Sequence, residues 1–459
     1  MTRPSRRLHD ELFAAPALLE CFSDRARVQG MLDFEAALAR AEAEAGVIPA
    51  GAAARIAEQC RAEHFDLDEL AASAVRAGNV AIPLVHALTS AVAREDPAAA
   101  RYVHFGATSQ DAMDTGLVLE LRAALDWFDA ELGRLNDTLA ALAWEHRSTW
   151  LLGRTWLQPA PPVTFGMKAA GWLSATLRSR ERLLALRRRV LVLELGGAAG
   201  TLASLGEHGL DVATRLAGAL KLTLPELPWH AERDRLAELA SALGILTGSL
   251  GKFARDVALL LQSEVGEVSA AAVPGRGGSS TMPHKQNPVG AAVILAAATR
   301  VPALVATLLS GMTQEHERGL GGWQAEWDTL PELCLLASGA LAHALELARA
   351  VDVDARRMRA NFEATGGVVL GEAVALALAP HLGRPLAHAL VERACRRAAA
   401  EGLRLVDVLA AEREVTSHLS SEALEALCDP ERYLGLAETW VDRVLESHAR
   451  RPSRDEPCP

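Results

Sequence analysis

Apolar residues recur along the middle of the chain at intervals of three and four, the spacing of one face of an α-helix. One series is Leu121, Leu125, Phe128, Leu132, Leu135, Leu139 and Leu142. A second is Leu236, Leu239, Leu243, Leu246, Leu250, Phe253, Val257 and Leu260. These patterns and similar ones predict long helices over Leu121–Leu142, Thr164–Glu194, Asp234–Val268, Val289–Met312 and Leu330–Ala350.

The length of these helices indicates how they pack. A helix over Asp234–Val268 would be roughly 50 Å long at about 1.5 Å per residue. Helices of this length suit a long bundle, shared between subunits, better than a small globule. The sequence therefore predicts an all-α fold with a central long-helix bundle.

Shorter helices are predicted on both sides of this bundle. One covers Asp24–Gly46 and is closed by Pro49 and Gly51, and another begins at Gly383-Arg384-Pro385 with its proline at an early helical position. We expect three domains: an N-terminal helical domain over 1–110, the long-helix domain over 111–351 and a C-terminal helical domain over 352–459.

Composition narrows the class of protein. Half of the residues are hydrophobic but only 4% are aromatic, and the net charge is −11, which argues against a nucleic-acid partner. Six cysteines are scattered singly, as expected for reduced thiols in the cytoplasm. The most apolar stretch, Ala291–Met312, contains Arg300 and Pro302. It predicts a buried helix pair rather than a membrane span.

The stretch Pro274–Pro288, P-G-R-G-G-S-S-T-M-P-H-K-Q-N-P, lies between two predicted helices and has no hydrophobic period. Its glycines permit unusual backbone angles, and Lys285 and Asn287 offer a positive charge and N–H donors to a carboxylate. A solvated glycine turn is the simpler interpretation. A phosphate-binding loop is a third, but the Walker spacing is absent.

Three segments resemble the fumarase/aspartase superfamily. Gly278–Pro288, G-S-S-T-M-P-H-K-Q-N-P, resembles its signature loop over eleven residues. His104–Asp111, H-F-G-A-T-S-Q-D, resembles its H-x-G-x-T-S-x-D stretch, and Gly153–Ala160, G-R-T-W-L-Q-P-A, resembles its G-R-T-H-x-Q-x-A stretch. The likeness extends from about Leu12 to His448 and implies the three-domain fold of that superfamily.

The resemblance also implies roles for individual residues. Ser279 matches the serine that acts as acid or base at carbon, with Ser280 as a second hydroxyl beside it. Lys285 and Asn287 match residues that hold the substrate carboxylate. Other anion-binding or substrate-binding positions are Thr108, Ser109 and Gln158. In this superfamily three subunits of a homotetramer contribute to each site, and no metal or organic cofactor is expected.

One departure from the superfamily pattern concerns the reaction. Trp156 stands where the lyases have a histidine credited with helping a poor leaving group depart. A lactonising enzyme does not need that acid, because its attacking group is an ionised carboxylate. The resemblance is therefore to the branch that lactonises carboxymuconate. Alternatives are His104 serving as the acid, an adenylosuccinate lyase or another C–N or C–O lyase, and a non-catalytic protein on the same scaffold.

A tricarboxylate substrate requires positive charge to be concentrated locally in this acidic protein. Candidate groups are Lys285, Arg318, His104, His284 and Arg276. A surface ion pair is the alternative for Arg318.

Two further segments resemble functional motifs only superficially. Gln314-Glu315-His316-Glu317 has metal-ligand residue types but is expected to be solvated surface. Gly196–Thr201 resembles a dinucleotide loop but has no strand before it, so we expect an interhelical turn near the site.

Overall fold

The computed structural model describes residues 7–270, 277–282 and 284–450 of the 459-residue chain. The elements before residue 100 are α1 (Asp10–Phe13), α2 (Pro16–Cys21), α3 (Asp24–Glu44), α4 (Ala50–Gln59), α5 (Leu67–Ala77) and α6 (Ala81–Glu95). The central elements are α7 (Ser109–Glu145), β1 (Trp150–Thr155), β2 (Gln158–Thr164), α8 (Phe165–Val190), α9 (Gly209–Leu220), α10 (Asp234–Leu261), β3 (Val268–Ala270), α11 (Val289–Ser310), α12 (Gly322–Ala350) and β4 (Val351–Val353). The last are α13 (Ala355–Glu363), α14 (Gly371–Leu382), α15 (Arg384–Glu401), α16 (Leu405–Ala411), α17 (Arg413–Thr416), α18 (Ser421–Leu427) and α19 (Ala437–Ala449).

The five long helices α7, α8, α10, α11 and α12 confirm the main prediction from the hydrophobic pattern. Every residue of the two apolar series is buried in α7 and α10. Alanine and leucine lose little side-chain freedom in a helix, so these segments form helices readily and are stabilised by packing of the apolar series.

Several predicted boundaries were wrong. The α10 helix ends at Leu261 rather than Val268, because the chain turns through Gly266 in the left-handed region and then forms β3. The α12 helix begins eight residues before the predicted Leu330 and includes Pro331. The predicted start of α15 is confirmed, with proline in its first turn.

The strands were not predicted from the sequence. The β1 and β2 strands form an antiparallel hairpin, with a register shift between Leu152 and Gly153, and β3 pairs antiparallel with β4. Three prolines in β2, at 159, 161 and 162, concealed its strand character. These strands are short, and the fold class remains all-α.

The chain forms two compact units. Unit 1 contains the chain up to Leu132 together with Ser179–Leu250 and Val293–Ala342, and unit 2 contains Gly133–Arg178, Gly251–Ala292 and the chain from His343 onward. The expected division into three domains at about residues 110 and 352 remains a prediction.

The α11 helix differs from expectation in its burial. It is one continuous helix with Pro302 inside it, not a helix pair, and only 28% of its most apolar window is buried within the chain. By length and composition alone, α11 and α12 are long and apolar enough to cross a membrane. The bent pair Ala355–Glu363 and Val368–Leu382 would also be, if the two helices formed one span. The apolar surface of α11 is therefore available to a partner.

Two carboxyl groups lie two turns apart on one face of α3. Glu35 and Glu42 are both buried, and neither side-chain oxygen of Glu42 has a hydrogen-bond partner within the described residues. Burial, together with the negative charge of Glu35, raises the pKa of Glu42 from 4.5 to about 8. Glu42 is therefore mainly protonated in the folded protein at neutral pH.

We expect Glu42 to make the protein less stable as the pH rises. Its folded-state pKa lies above its unfolded value, so its contribution is complete below pH 4.5 and is lost as the pH rises through about 8. The free energy of unfolding should fall by up to about 1.4 kcal/mol per pH unit over this range. In Glu42→Gln that dependence is removed, so the Tm of the variant minus that of the parent should increase from pH 5 to pH 8.

A matched control is Glu44→Gln, at an exposed position on the same helix. Its Tm difference from the parent should not change across the same pH range. A constant difference for Glu42→Gln as well would show that Glu42 ionises normally in the folded state.

Candidate active site

The H-F-G-A-T-S segment lies in unit 1 directly before α7. Gly106 has φ +74°, and a Cβ atom there would lie 2.6 Å from the side chain of Leu205. The left-handed backbone favours glycine at this position, and a larger residue would also displace the Leu205 side chain. Thr108 follows one residue after Ala107, and Ser109 is the first residue of α7.

Thr108 and Arg318 are brought together in unit 1. Arg318 Nη1 donates to Thr108 Oγ1 at 3.2 Å, and Nη2 donates to the carbonyl oxygen of Gly197 at 3.3 Å. Arg318 Nε is buried, and within the described residues it has no hydrogen-bond partner. No carboxylate in the described part of the chain pairs with Arg318, so the surface ion pair considered from the sequence is not observed. The guanidinium is available to bind an anion.

His104 is paired with a buried carboxylate. Its Nδ1 lies 2.5 Å from Glu35 Oε1, and His104 itself has a left-handed backbone with φ 56°. Burial alone would lower the pKa of His104, but the charge of Glu35, the hydrogen bond to it and the charge of Asp111 outweigh burial and raise that pKa. His104 therefore keeps its proton to a higher pH than an ordinary histidine, and it can supply positive charge or a proton.

The G-R-T-W-L-Q stretch forms the tip of the β1–β2 hairpin in unit 2. Thr155 pairs with Gln158, which leaves Trp156 and Leu157 as a two-residue loop with φ 52° and 63°. Such loops favour Asn-Gly, because positive φ is costly for other side chains. Trp156 is 97% exposed and Leu157 73% exposed within the chain, and Gln158 is exposed beside them. The hairpin thus holds two large apolar side chains outward at the cost of backbone strain.

A buried ion pair anchors this hairpin. Arg154 donates from Nη1 and Nη2 to the two oxygens of Glu267, at 2.8 and 2.6 Å, and Asn361 donates to the same carboxylate at 2.8 Å. Glu267 is fully buried and precedes β3 by one residue. Arg154 thus connects the hairpin to the strand that leads into the signature loop.

The described part of the signature loop, Gly277–Met282 and His284–Pro288, also lies in unit 2. Asn287 N–H donates to the carbonyl oxygen of Gly277 at 2.8 Å and closes the loop. Gly277 has φ +75°, and a Cβ atom there would lie 2.6 Å from the carbonyl oxygen of Asn287. This position requires glycine, whereas Pro274, Gly275, Arg276 and Pro283 lie outside the described residues.

Ser279 occupies a turn that directs backbone N–H groups to its hydroxyl. Its Oγ accepts from Thr281 N–H at 3.2 Å and from Met282 N–H at 3.0 Å. The neighbouring Ser280 is exposed, and its hydroxyl lies 3.5 Å from the hydroxyl of Thr281. Two N–H donors stabilise negative charge on Ser279 Oγ, which favours proton release from this hydroxyl.

The remaining loop candidates are solvent-accessible within the chain. Lys285, Asn287 and His284 are all exposed, and Lys285 N–H donates to the carbonyl oxygen of Met282 at 3.1 Å. Their side chains are therefore available to a ligand or to another subunit. The solvated glycine turn considered from the sequence is consistent with this exposure, and serine hydroxyls commonly accept such local N–H bonds in turns.

The expectation for one further segment is confirmed, and that for another is confirmed in part. Gly196–Thr201 forms a tight turn rather than a dinucleotide loop, and its Gly197 carbonyl contacts Arg318. Glu315, His316 and Glu317 are exposed in the segment between α11 and α12, as expected, but Gln314 is partly buried and donates to the carbonyl oxygen of Gly311 at 3.1 Å.

One buried cluster was not predicted from the sequence. Ligand-type atoms of Asp111, Glu194 and His230 lie within 4.8 Å of one another, so the three residues have the types and spacing that could hold a metal ion. Asp111 already accepts hydrogen bonds from backbone N–H groups, which favours a hydrogen-bonded cluster instead. The T-S-Q-D sequence, in which an acid follows a helix N-cap threonine by three residues, was the available signal.

Unit 2 thus presents a serine hydroxyl supported by N–H donors and an exposed lysine, and unit 1 presents an arginine–threonine pair without a carboxylate partner among the described residues. Residues 12–303 match the family model described as Lyase, and residues 367–444 match the model described as Adenylosuccinate lyase C-terminus. The chain belongs to this lyase family, the fumarase/aspartase superfamily.

Individual relatives cover nearly the whole chain. The 3-carboxy-cis,cis-muconate cycloisomerase of Pseudomonas aeruginosa is 58% identical over 445 residues, covering 97% of each protein. The crystal structure of the 3-carboxy-cis,cis-muconate lactonizing enzyme from Pseudomonas putida is 57% identical, with a TM-score of 0.92, and the match covers 97% of this chain and 99% of that one. A nitrosuccinate lyase of Streptomyces davaonensis is 47% identical, covering 92% of this chain and 91% of that protein.

Replacing Leu157 by glycine should stabilise the protein. A left-handed backbone costs a residue with a side chain about 1–2 kcal/mol, and glycine would relieve this strain. The greater freedom of glycine in the unfolded chain offsets about 0.4–1 kcal/mol of that relief. We expect a rise in Tm for Leu157→Gly. As control, Leu436→Gly replaces another exposed leucine in unit 2 whose φ is −96°, and it should not raise the Tm. Equal changes in both variants would argue that the hairpin tip is not strained.

Proposed function

We propose that the protein converts 3-carboxy-cis,cis-muconate to 4-carboxymuconolactone, in the protocatechuate branch of the β-ketoadipate pathway. The relatives with 58% and 57% identity carry this activity in their names. The observation within the chain that best supports the chemistry is the pair of backbone N–H groups directed to Ser279 Oγ.

The proposed reaction is an intramolecular addition. A carboxylate oxygen of the substrate forms a C–O bond to an alkene carbon, and the electron pair of the double bond moves toward a neighbouring carboxylate. The resulting enolate-like dianion takes a proton at carbon to give the lactone. No leaving group departs, so one proton transfer at carbon completes the reaction.

Ser279 is the proposed proton donor to carbon in this direction and the base in reverse. Proton loss leaves negative charge on Oγ, where the Thr281 and Met282 N–H groups already donate. Such preformed donors stabilise developing charge without reorganisation at the moment of reaction. Ser280 is proposed to contact the substrate as a second hydroxyl.

Positively charged and N–H groups are proposed to hold the three substrate carboxylates. Lys285 and Asn287 stabilise the carboxylate that becomes the dianion. Arg318 and Thr108, already in contact, bind a second carboxylate with Ser109 at the start of α7. His104 contributes charge through its raised pKa, and Gln158 provides an amide.

Trp156 supports cycloisomerisation over elimination. Its indole has no acid that could protonate a departing amine or hydroxide, whereas an ionised carboxylate nucleophile needs no such help. The C-terminal family match and the nitrosuccinate lyase relative keep a lyase as the second candidate. His104, with its raised pKa, is the acid that such a lyase would use.

We propose a homotetramer in which several subunits contribute to each site. The poorly buried apolar surface of α11 and the exposed indole of Trp156 support burial against other copies of the chain. This use of α11 accounts for its apolar character without a membrane. The cytoplasm is the proposed location, since the five cysteines within the described residues are free thiols. Nucleic acid is not a proposed partner.

The substrate assignment predicts turnover of carboxymuconate. Mixing the purified protein separately with 3-carboxy-cis,cis-muconate, adenylosuccinate and nitrosuccinate, and following ultraviolet absorbance, should show rapid loss only of the first. Turnover of adenylosuccinate or nitrosuccinate alone would establish the lyase instead.

Ser279→Ala should lower kcat by about 10²- to 10⁴-fold, the usual contribution of a positioned proton-transfer group. Ser280→Ala, at the adjacent hydroxyl without N–H donors, should alter KM more than kcat. Unchanged kcat in Ser279→Ala would remove this serine from the mechanism.

The same variant also tests the shared site. Co-expressed Ser279→Ala and Gln158→Ala chains should form mixed tetramers with more activity than either variant alone, because some sites would receive both intact residues. No gain on mixing would argue that both residues of a site come from one chain.

A further inference from the structure

The carboxylate of Asp111 accepts hydrogen bonds from three backbone N–H groups. Oδ2 accepts from Thr108 at 2.9 Å and from Gly197 at 3.0 Å, and Oδ1 accepts from Gly196 at 3.0 Å. Asp111 is fully buried on the first turn of α7. One side chain therefore fastens the H-F-G-A-T-S segment to the Gly196–Gly197 turn.

Both backbone segments held by Asp111 lead to Arg318. Thr108 donates its N–H to Asp111, and its hydroxyl accepts from Nη1 of Arg318. The carbonyl oxygen of Gly197 accepts from Nη2 of Arg318. The position of the guanidinium thus depends on two groups, and a single carboxylate sets the separation between them. Asp111 itself makes no hydrogen bond to Arg318 within the described residues.

His230 holds Asp111 from the opposite side. His230 Nε2 lies 2.7 Å from Asp111 Oδ1 and 3.2 Å from Glu194 Oε1, and Glu194 Oε2 accepts from Trp229 N–H at 2.7 Å. Burial, then the charges of Asp114 and Asp111, raise the pKa of Glu194 to about 9. Glu194 is therefore neutral at pH 7, which avoids a second negative charge beside Asp111.

A second buried network begins one helical turn along α7. Asp114 accepts from Nη1 and Nη2 of Arg233 at 2.7 and 3.1 Å, and Arg233 Nη2 also donates to Glu326 at 2.6 Å. Glu326 lies in the first turns of α12, shortly after Arg318. Gln110 joins the two networks, since its amide donates to Asp114 and to the carbonyl oxygen of His230. The start of α7 is thereby linked to both the Gly197 turn and the start of α12.

We propose that Asp111, held by His230, is the positioning residue of the Thr108–Arg318 anion receptor, and that it sets the geometry of this receptor without touching the substrate. The proposal rests on the proposed role of Arg318 in binding a substrate carboxylate. A carboxylate is required at position 111, because all of its contacts come from donors. An asparagine would turn one N–H₂ group toward an N–H donor and leave at least one backbone group without its acceptor.

A double-mutant cycle between Asp111→Asn and Arg318→Ala, assayed on carboxymuconate, tests the proposal. Displacement of a binding group by about 1 Å can cost about 10²-fold, so Asp111→Asn should raise KM by about 10- to 100-fold, with a smaller change in kcat. Because Asp111 acts through the receptor, Asp111→Asn should raise KM much less in the Arg318→Ala background than in the parent protein. Additive effects would overturn the proposal.

Asp129→Asn is the matched control for a lost buried carboxylate. Asp129 is buried on the same helix and pairs with Arg180 at 2.7 Å. Within the described residues it makes no hydrogen bond to Thr108 or Gly197. It should lower the Tm and leave KM unchanged. An Asp111→Asn variant that behaves as Asp129→Asn does would show that Asp111 is merely structural.

Two His230 variants keep the test informative if Asp111→Asn fails to fold. His230→Gln retains an N–H donor toward Asp111, whereas His230→Leu does not. We expect a raised KM in His230→Leu and near-parental KM in His230→Gln, and equal KM values in both would contradict the positioning role. If instead Arg318→Ala alone leaves KM unchanged, the receptor assignment fails, and the proposal fails with it.

Discussion

The controlling constraint is electrostatic: a chain with net charge −11 has to bind and stabilise an anion with several carboxylates. In the described structure, backbone N–H groups support the residues proposed to meet this constraint. Two N–H groups support Ser279 Oγ, and three hold the Asp111 carboxylate beside the arginine–threonine receptor. Backbone donors carry no net charge and are held in place by the fold. They can therefore stabilise developing negative charge without rearranging during the reaction.

Long helices explain where these donors lie along the chain. Thr108 directly precedes α7, Gln158 lies in the hairpin before α8, the Ser279 loop precedes α11, and Arg318 precedes α12. Thr108 therefore lies at a helix N-terminus, where unpaired N–H groups and the helix dipole favour negative charge. The rigid helices fix the ends of these segments, and glycines such as Gly106 and Gly277 permit the sharp turns between them.

The sequence predicted what depends on local pattern and missed what depends on long-range burial. The apolar series in α7 and α10 predicted the long helices and the fold class. The three motifs indicated the candidate site residues. The β1–β2 hairpin was hidden because prolines and positive φ values carry no strand signal. The Asp111–His230 contact joins residues 119 positions apart, and no local spacing indicates that a particular aspartate and histidine meet. The contact of Asp111 with Thr108 N–H lies within the short T-S-Q-D sequence, but that sequence is also typical of ordinary helix capping.

The choice of reaction on this scaffold depends on which steps need an acid. Elimination of an amine requires two proton transfers, one at carbon and one at the leaving group, whereas intramolecular carboxylate addition requires only the transfer at carbon. A relative named as a nitrosuccinate lyase shares 47% of the sequence, so the scaffold does not by itself determine the reaction. Trp156 stands where the lyases of the superfamily have a histidine, so this position offers no acid. The left-handed backbone that exposes Trp156 costs stability, so stability does not explain why this turn is present. The proposed mechanism therefore assigns the choice between addition and elimination to the hairpin tip.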